Sequence, residues 1–427
     1  MRSGAAPFSG LRRFAFLYAH SQGKVRSMLD LDFVRAQFPA LETDWTLFDN
    51  AGGSVPLGRV CDLVQDYMRT CMVQLGASYG LSEEASRRVA AGNRAAEELF
   101  GSGEGDVVIG GSSSALARIA AAALRPLWSD GDEVVVTDLD HEANIGAWRA
   151  LEETGLVVRE WRCDPESFQL RTEDLAPLLN ERTRLVAFSH CSNLVGEIQD
   201  VQAISDMAHA AGALVYVDGV AYAPHRRVDV DELGADLYVA SLYKVYGPHL
   251  AALHFGKELL AMAKSQNHFF IGNDEGPYKL QPGNVNHELT ASLPGIVDYL
   301  QELDRHHGGR GTIDGAFDRI TAYEVELVAP LLEFLDGHPR ARLLGRPVAD
   351  AARAPTVSFV PLEQRASEVP PEMDAQKVAV RWGHFYAHRF CSRFGLHEND
   401  GVVRASMAHY NTPEEVGLLI QALDAVL

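Results

Sequence analysis

Cysteine is scarce in this chain and does not pair by spacing: Cys61, Cys71, Cys163, Cys191 and Cys391 are an odd set of five in 427 residues. That argues against a disulfide framework and for a reducing, cytoplasmic compartment. The cysteines offer no metal-ligand spacing either. Long apolar runs are missing, with no stretch approaching the length of a membrane span, and there are no low-complexity tracts or repeats. Positive charge is in deficit, 38 Lys and Arg against 58 Asp and Glu, for a formal net charge of −20. Such a chain repels phosphate backbones and anionic bilayers, so neither nucleic acid nor a membrane is an expected partner. A small-molecule substrate is the expectation that remains.

What is present is an ordinary globular composition, 47% hydrophobic and 22% charged, in a chain long enough for a large domain and a smaller one. Residues 1–27 stand apart: Arg2, Arg12, Arg13, Lys24 and Arg26 occur with no acid, around Phe14 to Leu17. A targeting segment, an unstructured extension, or a start site upstream of Met28 all fit that pattern. Beyond residue 106, short β-rich runs alternate with helical spacing, which predicts stacked βαβ units and a mainly parallel sheet. The runs are Asp106 to Gly110, Glu133 to Asp138, Leu156 to Trp161, Arg184 to His190, Ala213 to Asp218, Asp236 to Ser241 and Ala251 to Phe255. After about residue 295 long helical stretches take over (Ile296 to Arg305, Ile313 to Leu335). Shorter strands follow at Thr356 to Val360, Val378 to Trp382 and Val402 to Met407, and Pro413 is placed to start a terminal helix. The expected division is a large domain over 45–295 and a small α+β domain from 28–44 and 296–427.

In an open parallel sheet, ligands bind beyond the carboxyl ends of the strands, so polar residues just after strands are read together. Lys244 follows one predicted strand and Asp218 closes another, while His141 and Asn193 follow two more. A lysine and a carboxylate at two such ends suggest a pyridoxal phosphate site. The lysine can hold the cofactor aldehyde as a Schiff base, and the carboxylate can keep the pyridine nitrogen protonated. Gly110-Gly111-Ser112-Ser113-Ser114, between a strand and a helix, offers backbone N–H groups and a helix N-terminus to a phosphate. Ser241-x-x-Lys244 also matches a serine acyl-transfer pattern, but its Ser-Asp-Asn and Lys-Thr-Gly companions do not occur.

These residues lie in motifs that resemble the class V aminotransferase fold group, specifically the cysteine-desulfurase-like enzymes of pyridoxal phosphate fold type I. The motifs are Phe48-Asp-Asn-Ala-Gly-Gly, Gly111-Ser-Ser-Ser, Asp140-His-Glu-Ala-Asn, Ser192-Asn-Leu-Val-Gly196, Val217-Asp-Gly219, Ser241 to Pro248 and Arg404 to Thr412, in family order. The resemblance implies an α/β fold: a large domain built on a seven-stranded, mainly parallel sheet with a smaller α+β domain, assembled as a homodimer. It implies Lys244 as the Schiff-base lysine, Asp218 on the pyridine nitrogen, His141 over the ring and Asn193 at its phenolic oxygen. Ser112, Ser113, Ser241 and Tyr243 would hold the phosphate. Arg404 would grip the carboxylate of an amino-acid substrate by a bidentate fork, with Asn50 and His384 beside it. The loop Gln281 to Asn286 would reach the neighbouring subunit's phosphate, although the family more often has threonine at Asn284.

Two departures bear on the chemistry. Desulfurases of the related branch carry Arg-x-Gly-His-x-Cys, whereas Arg381-Trp-Gly-His-Phe-Tyr386 ends in a phenol that cannot carry a persulfide, and Cys391 lies five residues on. The family's glutamine after Val-Asp-Gly is Ala221 here. The expected enzyme therefore removes the α-proton of an amino acid with Lys244 as base, and its product stays open. A C–S lyase assisted by Tyr386 and His384 as acids, an epimerase, an aminotransferase and a non-catalytic pyridoxal-phosphate-binding protein are the alternatives.

Overall fold

The computed structural model describes residues 29–427, so the distinct segment 1–27 lies outside the described residues. Thirteen strands are described. In chain order they are β1 (Thr46–Leu47), β2 (Val107–Gly110), β3 (Glu133–Thr137), β4 (Val157–Trp161), β5 (Thr183–Ser189), β6 (Leu214–Asp218) and β7 (Leu237–Ser241). There follow β8 (Ala251–Phe255), β9 (Ala341–Leu344), β10 (Thr356–Pro361), β11 (Val378–Ala379), β12 (Arg381–Gly383) and β13 (Val402–Ser406).

Seven of them form one sheet in the order β2-β8-β7-β6-β5-β3-β4. The pairs β3·β4, β3·β5, β5·β6 and β6·β7 are parallel, and only β8 runs against its neighbours. Because β8 is antiparallel to both β2 and β7, the carboxyl end of β2 returns to the same edge as those of β3, β5, β6 and β7. All seven strands expected from the sequence are there, each within one residue at either end.

Strand periodicity explains the layers. Val134, Val136, Leu185, Ala187, Tyr216, Leu237 and Val239 point into one core with the helices Ser113–Leu124 and Glu142–Arg149. Their alternates Val135, Val186, Phe188, Val215, Val217, Tyr238 and Ala240 point into the opposite core, with the helices Val201–Ala210 and Pro294–His306. Both faces are covered, as a parallel sheet requires, and each buried Val, Leu or Ile contributes about 1.5–3 kcal/mol.

A second, antiparallel sheet, β12-β13-β10-β9, packs under the helices Ile313–Gly337 and Pro413–Val426. The terminal helix starts where Pro413 predicts. Thr412 Oγ1 accepts from Glu415 N at 3.1 Å, and the Glu415 carboxylate accepts in return from Thr412 N at 3.0 Å. The single strand expected over Val378 to Trp382 divides: β11 pairs with β1, and β12 pairs with β13. The apolar run was legible, but an interruption at Val380 that sends its two halves to different sheets carries no composition signal.

Buried polar contacts fasten the second sheet to the loop after β5. Glu197, fully buried, accepts from Arg353 at 3.2 Å and Arg346 at 2.8 Å, while Ser358 donates to Leu194 O at 2.7 Å. Gly196 sits at φ +73°, and a Cβ there would lie 2.6 Å from Thr356 O, so only glycine permits this approach. That junction sets the distance between Asn193 and the Arg404 strand. Among the described residues no helix is long and apolar enough to cross a membrane.

Candidate active site

The common edge of the parallel strands gathers the predicted residues. β6 ends on Asp218, and β7 ends on Ser241 and passes into a single 3-10 turn, Leu242–Lys244. Ser54, not singled out in the sequence, ties that turn down: its hydroxyl donates to Tyr243 O at 3.1 Å and accepts from Tyr246 N at 3.0 Å. Tyr246 takes φ +63°, the left-handed residue that turns the chain away after the lysine. Lys244 is consequently buried, 8% exposed, and makes no ion pair among the described residues. Burial, then the positive charge of Arg404, draw its amine down from the ordinary lysine value to about 8, against the opposing pull of Asp218 and Asp49. About a tenth of the amine is thus free base at pH 7, far more than an ordinary lysine offers.

Asp218 is also buried, and its carboxylate accepts one backbone N–H, that of Val220 at 2.9 Å. Burial raises its pKa, so an added cationic partner would favour the ionised form. Gly219 N donates to Val239 O at 2.8 Å, and a Cβ on Gly219 would lie 2.2 Å from ring atoms of Tyr238. The invasion of that space by any side chain would push the Asp218 turn off the sheet.

Behind Asp218 lies a residue that sequence reasoning missed. Asp140, 1% exposed, accepts from Ser189 Oγ at 2.7 Å and Asn144 Nδ2 at 2.8 Å, while Trp148 Nε1 donates to Asn144 at 3.1 Å. Burial pushes its carboxyl up to about 7. It stood in the quoted motif one position before His141, and position was the only signal available. His141 caps the helix Glu142–Arg149: its Nδ1 accepts from Ala143 N at 3.0 Å, which places the proton of the neutral ring on Nε2. Burial, then Lys244 and Arg404, lower its pKa to about 4, so the ring is uncharged at neutral pH.

At the β2 end, Ser112 caps the twelve-residue helix Ser113–Leu124, accepting from Ala115 N at 3.2 Å. Ser241 Oγ donates to Ser113 Oγ at 3.1 Å, so hydroxyls from two strand ends meet at a helix N-terminus. Tyr243 stacks on His249, with ring centroids 5.0 Å apart.

Arg404 enters from β13 and is 2% exposed. Its Nη1 donates to Asn193 O at 3.0 Å and its Nη2 to Asp49 Oδ1 at 3.1 Å, while the Phe385 ring lies 3.9 Å from the guanidinium carbon. Nε has no partner. Burial lowers the Arg404 pKa to about 10, still well above neutrality. The Asn193 side chain donates to Phe385 O at 2.9 Å and so holds the 383–387 loop.

That loop carries the remaining candidates. Phe385 and Tyr386 adopt φ +47° and +61°, held there by Tyr386 N donating to His384 Nδ1 at 3.0 Å and Glu142 N donating to Tyr386 O at 2.8 Å. Tyr386 is 64% exposed, its ring 5.1 Å from that of His141. Beside it opens a cleft of about 880 Å³ lined by Glu142, Glu160, His384, Tyr386 and Arg389 among others; Lys244, Asp218, Ser113 and Arg404 do not line it. Asn50, expected beside Arg404, is engaged elsewhere. Its Nδ2 donates to Ser406 O and Asn411 Oδ1 at 3.0 Å each, and its Oδ1 accepts from Tyr410, so it anchors the 48–53 turn to the C-terminal strand. Cys391 is fully buried in the helix His388–Arg393, and burial pushes its thiol up to about 12. Among the described residues no group of His, Cys, Asp and Glu is arranged to hold a metal.

The sequence pattern of the family described as aminotransferase class-V matches residues 46–419, most of the chain. The chain belongs to the class-V aminotransferase family. Within it, the chain is 39% identical over 411 residues to the aminotransferase-like protein FGM3 of Gibberella zeae, covering 94% of this chain and 99% of that one. It is 32% identical over 422 residues to the cysteine desulfurase-like protein ustD of Aspergillus flavus, covering 96% and 93%. Its fold matches the apo cysteine desulfurase from Thermococcus onnurineus NA1 with a TM-score of 0.82, at 23% identity over 94% of this chain and 99% of that one. The class V, cysteine-desulfurase-like resemblance and the mainly parallel seven-stranded α/β architecture expected from the sequence are thereby borne out.

Proposed function

We propose that this family member is a pyridoxal-phosphate-dependent enzyme that takes an α-amino acid, removes its α-proton with Lys244, and hands no sulfur to a thiol of its own. The observation that carries this reading is Lys244: a buried amine with its pKa near 8 at a strand end, beside the strand that ends on the buried Asp218. The residues present fit the cofactor. Among the described residues Lys244 forms no ion pair and the Asp218 carboxylate accepts only the Val220 N–H, Gly219 keeps its space clear of a side chain, and the Ser112, Ser113 and Ser241 hydroxyls converge on a helix N-terminus. Pyridoxal phosphate, when bound, supplies an electron-withdrawing ring that takes up the electron pair left on the α-carbon.

The chain's own residues do the rest. Lys244 Nζ, poised near neutrality, accepts the α-proton and can return it. Asp218 would hold the cofactor's ring nitrogen and remain ionised there, because a positive partner would offset the burial that otherwise raises its pKa. Neutral His141 offers a flat face without adding charge. Ser112, Ser113, Ser241 and the Tyr243 hydroxyl would hold the phosphate, with the helix dipole favouring its negative charge. Arg404 takes the substrate's α-carboxylate, and its unpartnered Nε is the donor available for it.

Sulfur relay through the chain's own thiol is disfavoured. Tyr386 occupies the position where the resemblance implies a cysteine, Cys391 is buried with a raised pKa, and Cys61, the one exposed thiol, lies on the helix Gly58–Thr70. Loss of a β- or γ-substituent is the favoured outcome, because the exposed Tyr386 has its ring 5.1 Å from that of His141, and its phenol is the acid on that side that can protonate a leaving group. Aminotransfer is the second reading, in keeping with the relative named aminotransferase-like. We further propose that the chain divides into two domains near residue 295 and assembles as a homodimer. For the latter, Asn267 Nδ2 donates to Tyr278 O and Gln281 O, tying the segment with exposed Phe269 and Phe270 to the Gln281 to Asn286 loop.

Incubation of the cofactor-loaded protein with single amino acids in D2O, followed by NMR, tests the reading. Exchange of the α-proton, with sulfide, keto acid or inverted enantiomer assayed alongside, is the expected result. A panel in which binding changes the cofactor spectrum and no α-proton exchanges would leave only the non-catalytic reading.

A further inference from the structure

The Arg404 guanidinium is held in an incomplete way. Its side-on edge, Nε and Nη2, is the pair of donors that receives a carboxylate in fork geometry. Nη2 is bound to Asp49 Oδ1 at 3.1 Å and Nε is buried with no partner. A second arginine shares the same carboxylate: Arg381 Nη1 lies 3.3 Å from Asp49 Oδ2. The Phe385 ring faces both cations, 3.9 Å from the Arg404 guanidinium carbon and 5.7 Å from that of Arg381. Two guanidiniums against one carboxylate leave one positive charge uncompensated. The three side chains differ sharply in access: Arg404 is 3% exposed, Asp49 27% and Arg381 56%.

The Asp49 side chain is held less extensively than its backbone. The main chain is fixed by the bridge between Asp49 and Ser406 and by Gly52 N donating to Asp49 O at 2.9 Å. Among the described residues the carboxylate has no hydrogen-bond partner other than the two arginines, and Gly52 allows its present position, since a Cβ there would come within 3.0 Å of both carboxylate oxygens.

We propose that Asp49 is an exchangeable counter-ion: an incoming α-carboxylate takes the Nε and Nη2 edge of Arg404, and Asp49 passes wholly to Arg381. The exchange rests on the reading of Arg404 as the substrate-carboxylate site. It keeps the buried arginine paired in the absence of substrate, and it brings the cluster to neutrality when substrate is bound. Asp49 and Arg381 are thereby specificity-determining residues, because displacement of Asp49 is driven by a carboxylate and not by an amine alone. Unpaired, Arg404 would be a buried charge with one backbone carbonyl for company, a costly state.

The test is a binding titration of the cofactor-loaded protein, read from the cofactor's absorbance, with L-alanine and with ethylamine, which lacks the carboxylate. Asp49→Asn removes the competing charge at constant size and should tighten L-alanine by about three- to fivefold, the weight of one partly exposed ion-pair partner, with ethylamine unchanged. Arg381→Gln should weaken L-alanine by a similar factor in the wild-type background and have no effect in the Asp49→Asn background. Unchanged or weaker L-alanine binding by Asp49→Asn, with ethylamine binding intact, would overturn the exchange. So would an Arg381→Gln effect of equal size in both backgrounds. Arg404→Lys separates this from the parent reading: it should abolish the preference for L-alanine over ethylamine. A preference that survives in Arg404→Lys removes the carboxylate site itself, and the exchange with it.

Discussion

Lys244 should cost the protein stability when no cofactor is bound, and the cost has a sign and a size. Burial and Arg404 hold the folded amine near 8, while in the unfolded chain it returns to the ordinary value of 10.5. Between these pH values the unfolded chain binds more protons than the folded one, so stability rises with pH across that window. Below about pH 8 the penalty is fully present, and by about pH 10.5 most of it has gone. The gap in proton affinity corresponds to about 3 kcal/mol. Replacement Lys244→Met keeps the length and apolar stem of the side chain and removes the charge. Urea unfolding of cofactor-free wild type and variant at pH 7 and near pH 10.5 reads the difference, and pH effects from every other group cancel between the two proteins. The variant should be more stable by about 3 kcal/mol at pH 7, with the gap closing toward pH 10.5. A gap that stays constant with pH, or no gain at pH 7, would show that Lys244 is not a buried, depressed amine.

Four further outcomes are expected. Asp218→Asn should slow α-proton exchange into D2O, measured by NMR, at least about a hundredfold, the scale of removing the partner of a buried charge. Tyr386→Phe should leave α-proton exchange intact and reduce product formation by about 10²-fold or more if the hydroxyl protonates a leaving group; equal rates would assign that proton to another residue. Titration with a thiol reagent should find one reactive cysteine, Cys61, in the native chain and five after unfolding, since Cys71, Cys163, Cys191 and Cys391 are buried. Gly219→Ala should destabilise by about 1–3 kcal/mol and weaken cofactor retention, because its Cβ would meet the Tyr238 ring at 2.2 Å; wild-type thermal midpoint and retention would contradict the steric account.

The sheet was readable because its strands are short, strongly apolar and bounded by turn residues, a pattern that buried parallel strands impose. Lys244, Asp218 and His141 were readable for a related reason: the strand ends fix where side chains emerge, so sequence position alone puts them on one edge. Arg404 was readable only through resemblance, since a β13 arginine has no strand-end logic. Its partner Asp49 was not legible at all, nor was the commitment of Asn50 to Tyr410 and Asn411. Both depend on contacts between segments more than 350 residues apart. Asp140 escaped notice because a buried carboxylate held by a serine and an asparagine looks, in sequence, like any polar residue after a strand. The exposure of Tyr386 follows from left-handed backbone at two consecutive non-glycine residues, which no local propensity predicts.

Lys244 Nζ should be joined covalently to the aldehyde of pyridoxal phosphate. Borohydride reduction of the cofactor-loaded protein, proteolysis and mass spectrometry test it directly. The reduced cofactor is expected on the peptide containing Lys244 and on no other lysine. An unmodified Lys244 peptide, or label on a different lysine, would contradict it.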